Sequence, residues 1–386
     1  VAMRLVAVGL LSCLLLGFAS TVFSATAYST DFFSGHERVG GEVQYHVDGR
    51  VGTPSVTLLW RYLTDKGTVL GTPARLSDGS VVIGSSNGQV AVLDTSGAVV
   101  WQKWVGSVRG SPQLDADENI YITSADGKLY VFTKAGVLKW RFDSWGGIPG
   151  SALLTSDGRV AFGSRDQKFY VLKQSSGVVL FSQDLGSEIR GTPAVLRDGT
   201  LIIGTLGGKI YAYDTSYDLK WSFDTQGHAI ASKPLITDTS VVFTTRSSPF
   251  AKGTIMALRM DGSLLWVYNT TVADLETTPM LGSNGEIIVG SSDGKVYALL
   301  GDGSLVWRYI TGAANGDVVS CRGSLVVASK NKFIYGLRQT DGAFLWKYKM
   351  ERGSTSAPLC VDNGDSTVNV YVGSNDNYIY ALRHDF

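Results

Sequence analysis

The chain has 386 residues, 44% of them hydrophobic, and its 34 basic and 34 acidic side chains cancel. That balance argues against a nucleic-acid binder or a protein held on an anionic membrane surface, both of which need a basic excess. Four His and three Cys leave few ligands for metal or thiol chemistry, and 46 Gly point to many tight turns and hence many short strands.

Residues 1–27 carry the pattern of an export signal: Arg4, an apolar stretch over residues 5–18, then small residues. Cleavage is expected after Ser24 or Ala27. Leu10-Leu-Ser-Cys13 also has the form of a lipobox, but apolar residues 14–18 directly after Cys13 disfavour it, as they would lie in the mature chain. The apolar run is short and no second one comes after it, so no transmembrane span is expected. Residues 28–55 lack the repeating pattern of the rest of the chain and read as a polar leader, partly disordered or draped over the surface.

From Val56 onward the chain is an array. Ser291-Ser-Asp-Gly-Lys-Val-Tyr-Ala-Leu299 leads to Trp307, and close copies recur, such as Ser124-Ala-Asp-Gly-Lys-Leu-Tyr-Val-Phe132 leading to Trp140. Each reads as a two-residue Asp-Gly hairpin turn followed by a strand suited to a half-buried sheet. The aromatic positions are Trp60, Trp101, Trp140, Phe181, Trp221, Trp266, Trp307 and Trp346, a spacing near 40 residues. Four strand-like segments per period define a propeller blade. The alternation and the turn residues exclude helical repeats of similar length.

Eight innermost strands are expected, beginning near Pro73, Pro112, Ala152, Pro193, Pro234, Pro279, Asp317 and Pro358. The last unit has no Trp strand, whereas Leu58-Leu-Trp60-Arg-Tyr62 precedes the first unit. That first strand should therefore complete the last blade and close the ring, removing open sheet edges. The expected fold is an all-β, eight-bladed propeller of four-stranded antiparallel blades over residues 56–386. Insertions are expected at residues 247–253 and 363–369.

The run Ala91-Val-Leu-Asp94-Thr-Ser-Gly97-Ala-Val-Val-Trp101 resembles the tryptophan-docking motif of the PQQ-type, quinoprotein-like propeller repeats. The resemblance covers residues 56–386 and implies that the eight aromatic residues stack between blades. It leaves two classes of function open, dehydrogenase and non-catalytic scaffold. The dehydrogenases carry a vicinal Cys pair and long loops around a quinone, and neither is found in this sequence. Within the family, the chain looks like the BamB-like outer-membrane assembly scaffolds. Their Leu-Arg-Gly loop is matched by Ile189-Arg190-Gly191 and equally by Val108-Arg109-Gly110, and their acidic loop by Asp274-Leu-Glu276-Thr-Thr-Pro279. The resemblance implies a non-enzymatic, exported monomer without a cofactor that binds a protein or peptide through Arg109, Arg190, Asp274 and Glu276. The alternatives are a quinoprotein-like dehydrogenase and a carbohydrate-binding propeller.

Other chemistry is sparse. His36, His46, His228 and His384 show no metal spacing, and no nucleophile elbow or phosphate loop occurs. The Asp-Gly turns lack the convergent oxygens of a calcium site. Cys321 and Cys360 fall on successive innermost strands and read as two free buried thiols or, alternatively, as a disulfide between blades. Trp104 and Trp145 lie outside the period, in or beside the connections between blades, where an exposed contact is open to them. Asn269-Thr-Thr271 has the form of a glycosylation sequon.

Overall fold

The computed structural model describes residues 37–39 and 42–45 as backbone strands and residues 56–246, 252–270 and 275–385 in full. The expected export signal, Cys13, His36, His46, most of the leader, Thr271 of the sequon and most of the insertion at 247–253 lie outside the described residues. The rest is eight antiparallel sheets, each four strands deep from the channel outward, here called A to D. Blade 1, for example, runs Ala74–Arg75, Val81–Gly84, Gln89–Leu93 and Val99–Trp104. Among the described residues no helix is long and apolar enough to cross a membrane.

Ring closure agrees with the sequence reading. Val56–Leu63 pairs antiparallel with Tyr378–Asp385, supplying strand D of blade 8 beside Thr367–Gly373 and Leu359–Asp362. The leader departs from expectation at one place. Glu37–Val39 and Glu42–Tyr45 form a hairpin whose second strand pairs in parallel with Leu305–Ile310, so blade 6 has six strands.

The core is not within blades but between them. Eight apolar clusters each join the facing sides of two neighbouring blades; Leu129 and Val131 of blade 2 meet Val160 and Phe162 of blade 3 in one of them. Strands B and C therefore have neighbours on both faces. Val296, Tyr297, Ala298 and Leu299 are all buried, which corrects the half-buried expectation. Exposure is greatest in strand D, as in Leu138–Asp143, where one face is open to solvent.

The turns also differ in detail from the two-residue form. Gly127 N–H donates to the Ser124 carbonyl at 3.2 Å, and Ser124 N–H donates to the Lys128 carbonyl at 3.0 Å. This is a turn closed by one residue of positive φ, Gly127 at +86°, and the Asp before it keeps an ordinary backbone. Asp is there for its carboxylate. Asp126 accepts the Lys128 N–H at 3.1 Å and the Tyr130 hydroxyl at 2.7 Å, tying turn to strand C. Asp166 with Tyr170, Asp293 with Tyr297 and Asp376 with Tyr380 repeat the arrangement. Burial, then the carboxylate beside each hydroxyl, pushes the pKa of Tyr130 and Tyr170 up.

The periodic aromatic residues sit between blades, with their environments set by the next blade's C–D turn. A Cβ added to Gly97 would lie 2.7 Å from the Trp60 ring, and one on Gly136 would lie 2.8 Å from Trp101. The indole N–H of Trp60, Trp101, Trp221 and Trp266 donates to a carbonyl of that turn, at 2.8–2.9 Å. Trp307 and Trp346 are buried, whereas Trp60, Trp101, Trp140, Phe181, Trp221 and Trp266 are half-buried because their outer edge faces solvent. The Phe181 exception is compensated. Its partner turn carries Tyr217 where the others carry Gly, and the two rings stack at 4.9 Å. Trp346 has no further C–D turn to meet and packs on His384 instead.

Cys321 and Cys360 are joined, with Cα atoms 5.9 Å apart, so the free-thiol reading is corrected. The innermost strands of blades 7 and 8 bring the two Cα atoms to a separation that a disulfide can span. The bond closes a loop of 39 residues across the last blade interface. Replacing both cysteines by Ala should lower stability by about 2–4 kcal/mol. Urea denaturation of parent and double variant measures it, with reduced parent protein expected to match the variant.

Candidate functional site

The inter-blade connections converge on one end of the central channel. Six of them begin with a buried apolar anchor: Val69, Val108, Ile148, Ile189, Ile230 and Leu275 are 0–1% exposed. Four of these anchors fit against a glycine ending strand B; a Cβ on Gly84 would strike Val108, and one on Gly163 would strike Ile189. With the anchor pinned, the next residue is delivered to the channel mouth. Arg109, Arg190 and Glu276 occupy this same register position on the connections into blades 2, 4 and 6, and all three line the cavity. Asp274 lies outside the described residues. The two loops matched by motif stand two blades apart, as their spacing implies.

One residue further in, glycines let neighbouring backbones touch. A Cβ on Gly71 would lie 2.6 Å from the Gly110 carbonyl oxygen, and one on Gly110 would lie 2.8 Å from that of Gly150. The residues after them are hydrogen-bonded from blade to blade over part of the circle. Thr72 N–H donates to Ser111 Oγ at 2.9 Å, Ser111 N–H to Ser151 Oγ at 2.7 Å, and Ser151 N–H to Thr192 Oγ1 at 2.9 Å. The series breaks at blade 5, where Lys233 takes the place and a lysine has no acceptor. It resumes as Thr278 N–H donates to Asp317 Oδ1 at 2.8 Å.

The cavity so enclosed is about 900 Å³ and is also lined by Arg165, Arg246 and Lys330, each on a B–C turn. Each comes directly after the buried Ser or Thr that opens the turn, and its own N–H donates to the connection beside it; Arg165 N–H reaches the Gly147 carbonyl at 2.9 Å. These three cations were missed in the sequence. Their common register after Ser164, Thr245 and Ser329 was the signal that could have found them.

Two of the mouth's cations are paired. Arg190 makes an ion pair with Glu188 at 3.0 Å, and Arg246 with Glu276 at 3.0 Å. Lys233 is open to the channel yet surrounded by protein, and desolvation pulls its pKa down. Burial pushes the Asp317 carboxyl up, with the Thr278 N–H opposing it. Among the described residues no three His, Cys, Asp or Glu side chains gather where they could hold a metal ion. His228 sits half-buried in an inter-blade connection, and its Nδ1 lacks a hydrogen-bond partner among the described residues. Trp145 stands on the connection into blade 3, 92% exposed, and Trp104 ends strand D of blade 1, 55% exposed.

The architecture matches known proteins closely. Among solved structures the chain is similar to BamB from Moraxella catarrhalis, with a TM-score of 0.69 at 18% identity, covering 85% of this chain and 97% of that one. It is also similar to Sqt1 from Saccharomyces cerevisiae, with a TM-score of 0.73 at 11% identity, covering 84% and 98%. The computationally designed Ika8 protein matches at a TM-score of 0.70 and 18% identity, covering 81% and 96%. At these identities the likeness speaks for the fold. No curated protein matches the sequence. A family model does: the one described as outer membrane protein assembly factor BamB matches residues 46–180 and 190–322. With eight PQQ-like blades in place and most of the array covered by that model, the chain belongs to the BamB family of propellers.

Proposed function

We propose that this protein is a non-catalytic scaffold, exported from the cytoplasm, that binds a protein partner through an extended segment laid across the channel mouth. The observation that carries the reading is the shared register of Arg109, Arg190 and Glu276. Each comes directly after a buried anchor, so a rigid core presents them together on one face. A backbone held this way needs little loop ordering on binding, which favours recognition over loose surface charge. The family description, an assembly factor, supports a role in contacts between proteins. The Cys321–Cys360 disulfide supports an oxidising compartment outside the cytoplasm. The reading assigns the chain no cofactor and no chemical step.

Arg190→Glu tests it. The substitution breaks the Glu188 pair on a partly exposed side chain and should change stability by only about 0.5 kcal/mol. Loss of a central contact should cost binding ~2 kcal/mol or more. Pull-down from the native source with parent, Arg109→Glu and Arg190→Glu proteins, after circular dichroism confirms the fold, should show partners lost from the variants. Retention of every captured partner by both variants would place docking elsewhere.

A further inference from the structure

The chain as a whole is neutral, but the channel mouth is not. Its described lining holds Arg109, Arg165, Arg190, Lys233, Arg246 and Lys330 against only Glu276 and Asp317. Glu276 is occupied by Arg246, and Arg190 by Glu188. Asp317 is engaged by the Thr278 N–H, and burial disfavours its charge. Arg109, Arg165, Lys233 and Lys330 have no ion-pair partner among the described residues.

Lys233 is the most telling of the four. It stands between Thr192 and Thr278 in register, where the hydrogen-bonded series that runs from blade 1 to blade 4 stops. Its side chain is exposed to the channel and has no ion-pair partner among the described residues, so an anion brought there would be attracted to it. The series is rich in donors as well. Ser111, Ser151 and Thr192 accept backbone N–H groups through their oxygens and keep their own protons to donate.

The unpaired cations come from four different blades, 2, 3, 5 and 7, spread around the mouth. An extended chain bearing several carboxylates, laid across the opening, can meet cations of several blades in turn. The cavity of about 900 Å³ is large enough to admit such a segment. We propose that the channel mouth is a receptor for an acidic peptide segment, read by Arg109, Arg165, Lys233 and Lys330. This rests on the scaffold reading above and names the chemistry of the segment that the scaffold takes.

The test uses the full chain and a fluorescein-labelled hexaglutamate peptide, monitored by fluorescence anisotropy at low and at high salt. Hexaglutamate should bind and hexalysine should not, and added salt should weaken the complex. The Arg165→Glu/Lys330→Glu double variant should bind roughly tenfold more weakly or worse, and Lys233→Met should also weaken binding. Arg197→Glu alters an exposed A–B turn whose charge pairs with Asp238, away from the cavity lining, and should leave binding unchanged. Equal weakening by Arg197→Glu, or tighter binding of inorganic polyphosphate than of the peptide, would overturn the proposal in favour of general attraction for polyanions. So would no binding of hexaglutamate. If hexaglutamate fails while capture of partners remains sensitive to Arg190→Glu, the scaffold reading stands and the acidic segment falls; if both fail, both fall.

Discussion

Removing residues 1–63 should destabilise the propeller far more than removing residues 1–55. The eight additional residues, 56–63, are strand D of the last blade, paired along the length of Tyr378–Asp385. Without them that strand becomes an open edge of the kind that invites aggregation. Trp60 is lost from the cluster that joins blades 8 and 1, together with its hydrogen bond to the Thr95 carbonyl. Arg61 is lost as well, with its ion pair to Glu351 and its place over the Tyr378 ring. The Trp side chain alone contributes about 3 kcal/mol, the lower end of the range for large aromatic deletions because its outer edge is solvated. The shorter deletion removes the hairpin on blade 6, whose parallel contact is confined to Gln44 with Arg308 and Tyr45 with Tyr309. Thermal melts of the two truncated proteins compare them directly. Equal melting temperatures would show that the first strand does not close the ring.

The second large effect is expected at Gly342. It combines a φ of +70° with the closest approach of any C–D turn to its tryptophan: an added Cβ would lie 2.4 Å from the Trp307 ring. Trp307 is only 2% exposed, so it has no room to retreat. Gly342→Val should therefore incur both left-handed backbone strain and overpacking, about 3 kcal/mol together. Two companions separate the terms. Gly186 has a φ of +71° with nothing near its added Cβ, so Gly186→Ala should cost only the backbone term, about 1 kcal/mol. Gly301 has neither constraint, and Gly301→Ala should be close to neutral. Urea midpoints for the three variants give the ordering. A Gly342→Val protein no less stable than Gly186→Ala would show that the tryptophan contact carries no packing constraint.

Where the sequence reading and the structure part company, the cause is the same in each case. A half-buried strand was expected at Val296, Tyr297 and Leu299 because one blade alone has an inner and an outer face. The neighbouring blades cover both faces. Cys321 and Cys360 were open to two readings because a spacing of 39 residues does not say how closely adjacent innermost strands approach. Asp126 reads in sequence as a turn former, while its hydrogen bond to Tyr130 appears only once turn and strand C are folded together.

The sequence by itself determined the number of blades, the strand that closes the ring and the aromatic residue that docks each blade on the next. All are local matters, carried by turn residues and apolar strands repeated about every 40 residues. The candidate site was legible only in part. Arg109, Arg190 and Glu276 could be picked out by resemblance, because each sits in a short motif. The weight of positive charge at the channel mouth belongs to no local stretch. Arg165 and Lys330 come from turns 165 residues apart, and Lys233 from a third blade between them. Only the rotation of each blade about a common axis brings them around one opening, so tertiary structure alone decided that a neutral chain should carry a basic mouth.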